Sequence, residues 1–316
     1  MSRRARSILQ NDDSRKVRRK NGPCLAFVLG GGGARGALQM GALRALLEAD
    51  IHPDLLVGTS VGAANAAHLA VRGFTAETLE GLEATRHDAM EADLLPANYL
   101  WLTVRILFNR ANLRPFHHRF RDFFVVHGLD PELRFGDLSG PRLILVAADL
   151  DEHRPVLYGE EPSQSILEGL LASTALPPWV RPLQVGEHFL MDGGVISNLP
   201  IEPALSSGAT EIIALDLFDP RFLGPEVHGF GPFLAQLLVT VEQRLIDLEM
   251  ALAEERGVPV HHLALRGEQP VATWDFSHTE ELIARGYAIA KRTIAGWPRR
   301  RRTRHRWLGW LWHRAV

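Results

Sequence analysis

The sequence predicts an α/β fold built on a mostly parallel β-sheet, on three observations. Apolar runs of strand length, Pro23 to Leu29 and Glu211 to Leu217, lack the in-out alternation of a half-solvated strand and suit strands buried on both faces. The first two apolar runs, Pro23 to Leu29 and Leu55 to Val57, each lead through glycines into a helical pattern within the first 75 residues. Strand–loop–helix units of that kind join by right-handed crossovers into a parallel sheet. No internal repeat or linker interrupts residues 23–295, so we expect one domain there, between a basic arm over 1–22 and a basic, Trp-rich tail over 296–316.

The elements follow in order. After the first strand, Gly30 to Gly33 make a loop, and Ala34 to Ala49 carry Leu38, Ala42, Ala45, Leu46 and Ala49 at helical spacing. Leu55 to Val57 is the second strand and Val61 to Val71 the alanine-rich helix after it. Residues 74–126 read as mostly helical. Within them Leu94 to Phe108 is apolar and aromatic but broken by Pro96 and Arg105, which favours a core or lid helix over a lipid-contacting cap. Arg142 to Ala148 is a strand, with Pro155 to Tyr158 as its hairpin partner. Ser163 to Ser173 is a helix ended by Leu176-Pro177-Pro178-Trp179. Pro182 to Val185 and His188 to Met191 are short strands, and Asp192-Gly193-Gly194 turns the chain. A long amphipathic helix over 231–256, a strand over 258–265 and a helix from Thr279 to Ala295 complete the body. That last helix begins acidic and ends basic, in keeping with its dipole.

Composition bounds the chemistry. A hydrophobic content of 46% and a charged content of 23% are those of a globular chain. The single cysteine, Cys24, excludes an internal disulfide and reads as a small buried hydrophobe on the first strand. The net charge of −2 hides an asymmetry: residues 1–20 hold eight bases and two acids, and residues 299–316 seven arginines and no acid. That leaves 20 bases against 35 acids in between. Basic tails on an acidic body suit an anionic lipid surface better than nucleic acid; the plainer reading is solvated, disordered tails. Trp307, Leu308, Trp310, Leu311 and Trp312 beside the arginines suit an interfacial segment, or alternatively a tail docked on the acidic body. No run of 18 apolar residues is present, so no transmembrane helix is expected. The first 20 residues lack the apolar core of a secretory signal. The expected location is cytoplasmic, with peripheral membrane contact through the tails.

Three clusters carry chemistry. In Gly58-Thr59-Ser60-Val61-Gly62 a serine stands at a strand-to-helix corner between two glycines, the G-x-S-x-G pattern. The bend exposes its hydroxyl beside the first N–H groups of a helix, where negative charge is favoured. Gly31-Gly32-Gly33-Ala34-Arg35-Gly36 fits G-x-G-x-x-G. Consecutive glycines expose N–H groups to an anion, either a nucleotide phosphate or the oxyanion of acyl transfer. No clear acidic residue ends the second strand about 20 positions on, as a dinucleotide site requires; that strand ends in the serine corner instead. Arg35 either braces this loop, joins an ion pair or meets a substrate phosphate. Asp192-Gly193-Gly194 puts a carboxylate at a strand end, where desolvation can make it a better base; the plainer alternative is a polar turn. A serine needs a base, and none of the 14 histidines sits in an evident motif. His278, before the last helix, is the best placed for a triad, whereas His68, about two turns along the helix after Ser60, should point away.

The three clusters in this order resemble the patatin-like phospholipase family over about residues 23–295. The stretch Ser173-Thr174-Ala175-Leu176-Pro177-Pro178 and the segment from Phe276 to Tyr287 are also similar to that family. The resemblance implies a three-layer α/β/α sandwich and a serine lipid acyl hydrolase of the phospholipase A or esterase type, working through an acyl-enzyme without histidine, metal or organic cofactor. Ser60 would be the nucleophile, Asp192 the general base, and Gly32 and Gly33 the oxyanion donors. Gly30 and Gly194 depart from residues common in the family, outside the dyad. Two other readings stand beside it: a nucleotide-binding module using the glycine loop, and a catalytically idle adaptor at a membrane surface.

Overall fold

The computed structural model describes residues 22–91, 117–177, 180–222 and 230–297. The expected arm and tail, and the segment Leu94 to Phe108, lie outside the described residues apart from Gly22, Gly296 and Trp297.

Eight strands form one sheet: β1 (Leu25–Leu29), β2 (Leu55–Thr59), β3 (Arg142–Asp149), β4 (Arg154–Tyr158), β5 (Leu183–Val185), β6 (His188–Asp192), β7 (Glu211–Asp216) and β8 (Val260–Ala264). The order is β5-β6-β3-β2-β1-β7-β8, with β4 paired to β3 as well. β3, β2, β1, β7 and β8 run parallel, while β4 and β6 pair with β3 antiparallel. The helices are α1 (Gly36–Glu48), α2 (Val61–Arg72), α3 (Ala76–Glu91), α4 (His117–Val126), α5 (Ile166–Ser173), α6 (Gly194–Ser197), α7 (Ile201–Ser206), α8 (Phe230–Glu255) and α9 (Thr279–Ala295).

The apolar runs end up buried on both faces, as their composition demands. Phe27 and Leu29 of β1 and Ile213 and Leu215 of β7 face one cluster, built with α1, α2, α5 and α9. Ala26 and Val28 of β1 and Ile212 and Ala214 of β7 face the other, built with α7 and α8. Two cores on one sheet make the three-layer sandwich. Each large side chain fully buried there contributes about 1.5–3 kcal/mol of transfer free energy.

Local differences from the sequence reading have local causes. The first helix begins two residues late, at Gly36 instead of Ala34, because Gly33–Arg35 form a 3-10 turn. The second strand runs on through Gly58 to Thr59, since both still pair with β3. Cys24 is half-buried, just before β1, where its N–H donates to Thr210 Oγ1 at 2.8 Å. Asp192-Gly193-Gly194 is not a hairpin turn: Asp192 closes β6, and the chain enters α6 directly. Among the described residues, no helix is long and apolar enough to cross a membrane.

Candidate functional site

β3 is the ruler that brings the two key stretches together. Its first half pairs with β2, ending at Thr59 opposite Val146. Its last three residues pair with β6, starting with Asp192 opposite Ala147. β4 occupies the other edge of β3 over Leu145 to Asp149. β2 and β6 must therefore share one edge of β3 and meet end to end. Ser60 follows Thr59 directly, so the register itself sets Ser60 beside Asp192.

The serine corner is tight. Ser60 has φ 56°, the left-handed region that costs an L-residue about 1–3 kcal/mol. Its N–H donates to Ser173 Oγ at 3.0 Å, and the Asp192 N–H donates to the Ala175 carbonyl at 3.0 Å. The stretch after α5 thus ties both residues. Thr59 Oγ1 donates to the Ser197 carbonyl at 2.9 Å, joining the corner to α6. Gly62 is required by contact: a β-carbon there would lie 2.1 Å from the Leu29 carbonyl oxygen. The first turn of α2 therefore rests on the end of β1, next to the glycine loop. A β-carbon on Gly31 would lie 3.2 Å from Ser60 Cβ, which sets that loop against the serine.

Within the loop, the Gly31 N–H donates to the Asn198 carbonyl at 3.0 Å and the Ala34 N–H to the Thr273 carbonyl at 2.8 Å. The two N–H groups between them, on Gly32 and Gly33, have no hydrogen-bond partner among the described residues. Gln39 props the loop from beneath, its Nε2 donating to the carbonyls of Gly30 at 2.9 Å and Leu215 at 3.1 Å. Asn65 of α2 donates to Gln39 Oε1 at 2.9 Å. Arg35 braces the loop: its Nε donates to the Gly32 carbonyl at 3.3 Å. Burial pulls its pKa down, against the attraction of Glu242, Asp219 and Asp216.

Asp192 is only 2% exposed. Burial pushes its pKa up from 3.8 to about 6, opposed by the Ser60 hydroxyl and the Gly194 N–H, which donates to Oδ1 at 2.8 Å. Oδ2 is buried with no partner in hydrogen-bond geometry. This is a carboxylate with one committed oxygen and one available, made more basic by desolvation.

Two further acids with raised pKa values were not singled out by the sequence. Glu242 of α8 accepts a hydrogen bond from Asn198 Nδ2, which also reaches the Gly31 carbonyl at 3.5 Å. Burial pushes Glu242 up to about 7, with Arg35 opposing and Asp216 and Asp192 adding to the rise. Glu249, also raised to about 7 by burial, anchors α6 and α7 by accepting from Ser197 Oγ at 2.6 Å and the Glu202 N–H at 2.7 Å. Nothing in local sequence marks these glutamates, since on a helical wheel they read as ordinary polar positions.

The histidine expectations are corrected. His278 sits by Glu281 and Asp275, with Nδ1 3.2 Å from Glu281 Oε2, on an exposed 3-10 turn; it is no partner of Asp192. His68 does not turn away: it lines the same cleft as Ser60, farther along α2. Burial lowers its pKa to about 4, so it is neutral at pH 7. Asp149, Asp151 and His188 stand close enough to hold a metal ion. Their carboxylates already accept the N–H groups of Asp151, Glu152 and Phe189, so we read the group as a brace for the turn after β3.

A family model described as "Patatin-like phospholipase" matches residues 27–205. The mouse protein "Patatin-like phospholipase domain-containing protein 6" is 32% identical over 315 residues, covering 93% of this chain and 22% of its own length. A "Lysophospholipase NTE1" of Phaeosphaeria nodorum is 26% identical, covering 90% of this chain and 19% of its own. The chain thus spans about a fifth of the length of these relatives. Among solved structures, VipD from Legionella pneumophila aligns with a TM-score of 0.44 at 15% identity, over 87% of this chain and 67% of that one. The matched region runs through the glycine loop, the serine corner and the strand ending at Asp192, and the chain belongs to the patatin-like phospholipase family.

Proposed function

We propose that the protein is a serine lipid acyl hydrolase, cleaving fatty-acyl esters by a Ser60–Asp192 dyad through an acyl-enzyme. The observation that carries this reading is the end-to-end meeting of β2 and β6, which sets a strained serine beside a buried carboxylate of raised pKa. Ser60 Oγ attacks the ester carbonyl while Asp192 Oδ2 takes its proton. The N–H groups of Gly32 and Gly33, with the first turn of α2, hold the oxyanion. Collapse expels the lipid alcohol, which receives the proton from Asp192. Water then attacks the acyl-Ser60 ester, giving its proton to Asp192, and the fatty acid leaves as Ser60 is restored. At pH 7 a carboxyl with a pKa of about 6 is mostly ionised, yet more basic than a solvated aspartate. The relatives' names, a lysophospholipase among them, favour phospholipid or lysophospholipid substrates. The chemistry needs no metal or organic cofactor.

The test is labelling by a fluorophosphonate together with product analysis by mass spectrometry. Wild type should take the label and release fatty acid from phospholipid or short-chain nitrophenyl esters; Ser60→Ala should do neither. Equal fatty-acid release by both refutes the dyad.

A further inference from the structure

A cleft leads away from Ser60 along one face of α2. Its floor is Ser60, Ala64, Ala67, His68, Val71 and Arg72, a helical repeat running the whole length of the helix. Phe120, Phe123 and Phe124 of α4 and Leu82 of α3 form much of the walls. The space between atoms is about 1090 Å³, part of it open to solvent. The floor next to Ser60 is made of alanines, so room is left there for a ligand. At the far end the Arg72 guanidinium donates to the His127 carbonyl at 2.9 Å, clasping the end of α2 to the end of α4. The His127 Nε2 meets Asp88 Oδ2 at 2.9 Å just beyond. The cation nearest the glycine loop, Arg35, does not line this cleft. The lining is therefore apolar from the serine to a polar, charged end, which suits a hydrocarbon chain and not a headgroup.

We propose that this cleft is the acyl-chain site and that the Arg72–His127 clasp limits the chain to about fourteen carbons, at about 1.5 Å per residue of α2 and about 1.25 Å per carbon. The assignment rests on the acyl-hydrolase reading for its orientation, with the carbonyl at Ser60 and the methyl end toward Arg72. His68 is passed on the way and does not stop the chain, because the half-buried ring is uncharged at neutral pH. Ala64 is the point of greatest leverage. It lies one turn from Ser60, so a large side chain there leaves space for only about five carbons.

The experiment measures displacement of a fluorescent fatty acid from the full chain by saturated fatty acids of graded length, beside kcat/KM for nitrophenyl esters of the same lengths. Wild-type affinity should rise about fourfold per carbon up to about fourteen carbons and then level. Ala64→Phe should level near about five carbons and bind the fourteen-carbon acid at least about 30-fold more weakly than wild type. Arg72→Ala, at an exposed helix end, should carry the rise on to longer chains, and thermal melting confirms that each variant is folded. Wild-type affinity that climbs without a break to eighteen carbons overturns the inference, as does a break that neither folded variant moves. If fatty acids show the break but no ester is turned over, the acyl-hydrolase reading fails and the chain site stands. If esters are hydrolysed with no dependence on length, the reading stands and the chain site falls.

Discussion

Replacing Asp192 by asparagine should remove activity and abolish the loss of stability that wild type suffers between about pH 4 and 6.5. The carboxyl is 2% exposed, and burial lifts its pKa from 3.8 to about 6. At about 1.4 kcal/mol per pH unit, that rise corresponds to about 3 kcal/mol of penalty for the charged form in the folded state. The folded protein holds this proton more tightly than the unfolded chain does. Stability is therefore fully present below about pH 4, is lost as pH rises to about 6, and is constant above that. Asparagine has no such slope. Its Oδ1 can still accept the Gly194 N–H, while its Nδ2, placed where Oδ2 has no partner, costs about 1–3 kcal/mol if it finds none. That cost is the same at every pH, so the slope carries the test. Removing the charge also relaxes Glu242, whose rise Asp192 reinforces, and this acts in the same direction. Urea denaturation of wild type and Asp192→Asn at half-unit steps from pH 4 to 7.5 should show the variant gaining on wild type by about 2–3 kcal/mol between pH 4 and 6.5. Ester turnover should fall about 10²–10⁴-fold, the range for loss of a general base. Parallel stability curves over that interval would refute the desolvated carboxylate, and retained turnover would refute its role as base.

Other expectations follow from the same geometry. For a neutral short-chain ester, kcat/KM should fall about tenfold per pH unit below about 6, as Asp192 takes up its proton; a midpoint below pH 5 contradicts this. Gly62→Ala puts a β-carbon 2.1 Å from the Leu29 carbonyl oxygen. It should cost about 1–3 kcal/mol in denaturant and at least about 100-fold in turnover, because the helix bearing Ser60 must move off β1. Asn198→Ala removes the side chain shared by Gly31 and Glu242. If the Gly32 and Gly33 N–H groups bind the oxyanion as proposed, it should lower kcat about tenfold with little change in KM, by loosening donors whose bond to the substrate forms only in the transition state; an unchanged kcat shows that the glycine loop holds itself.

The parts of this protein that depend on neighbours in sequence were legible in the sequence. Apolar runs such as Pro23 to Leu29 announce strands buried on both faces, because nothing else hides so much hydrocarbon in so few residues. Gly58 to Gly62 announces a sharp strand-to-helix corner, because only small residues allow the backbone to fold back on itself there. The order of glycine loop, serine corner and Asp192-Gly193-Gly194 pointed to the family to which the chain belongs. What the corner would face was not legible.

Tertiary structure decided the rest. Ser60 and Asp192 meet because β2 and β6 share one edge of β3, a fact of register between strands more than 130 residues apart that no local pattern encodes. His278 looked well placed along the chain and lies on the surface; His68 looked misplaced and lines the cleft. Glu242 and Glu249 look like ordinary polar positions on α8, and only the packing of that helix against α6 and α7 desolvates them. Periodicity and turn chemistry are properties of a few successive residues, so the sequence alone determined the elements and their corners. Desolvation and the meeting of strand ends are properties of the assembled sheet, so only the fold could determine which side chains share a site and how basic they are.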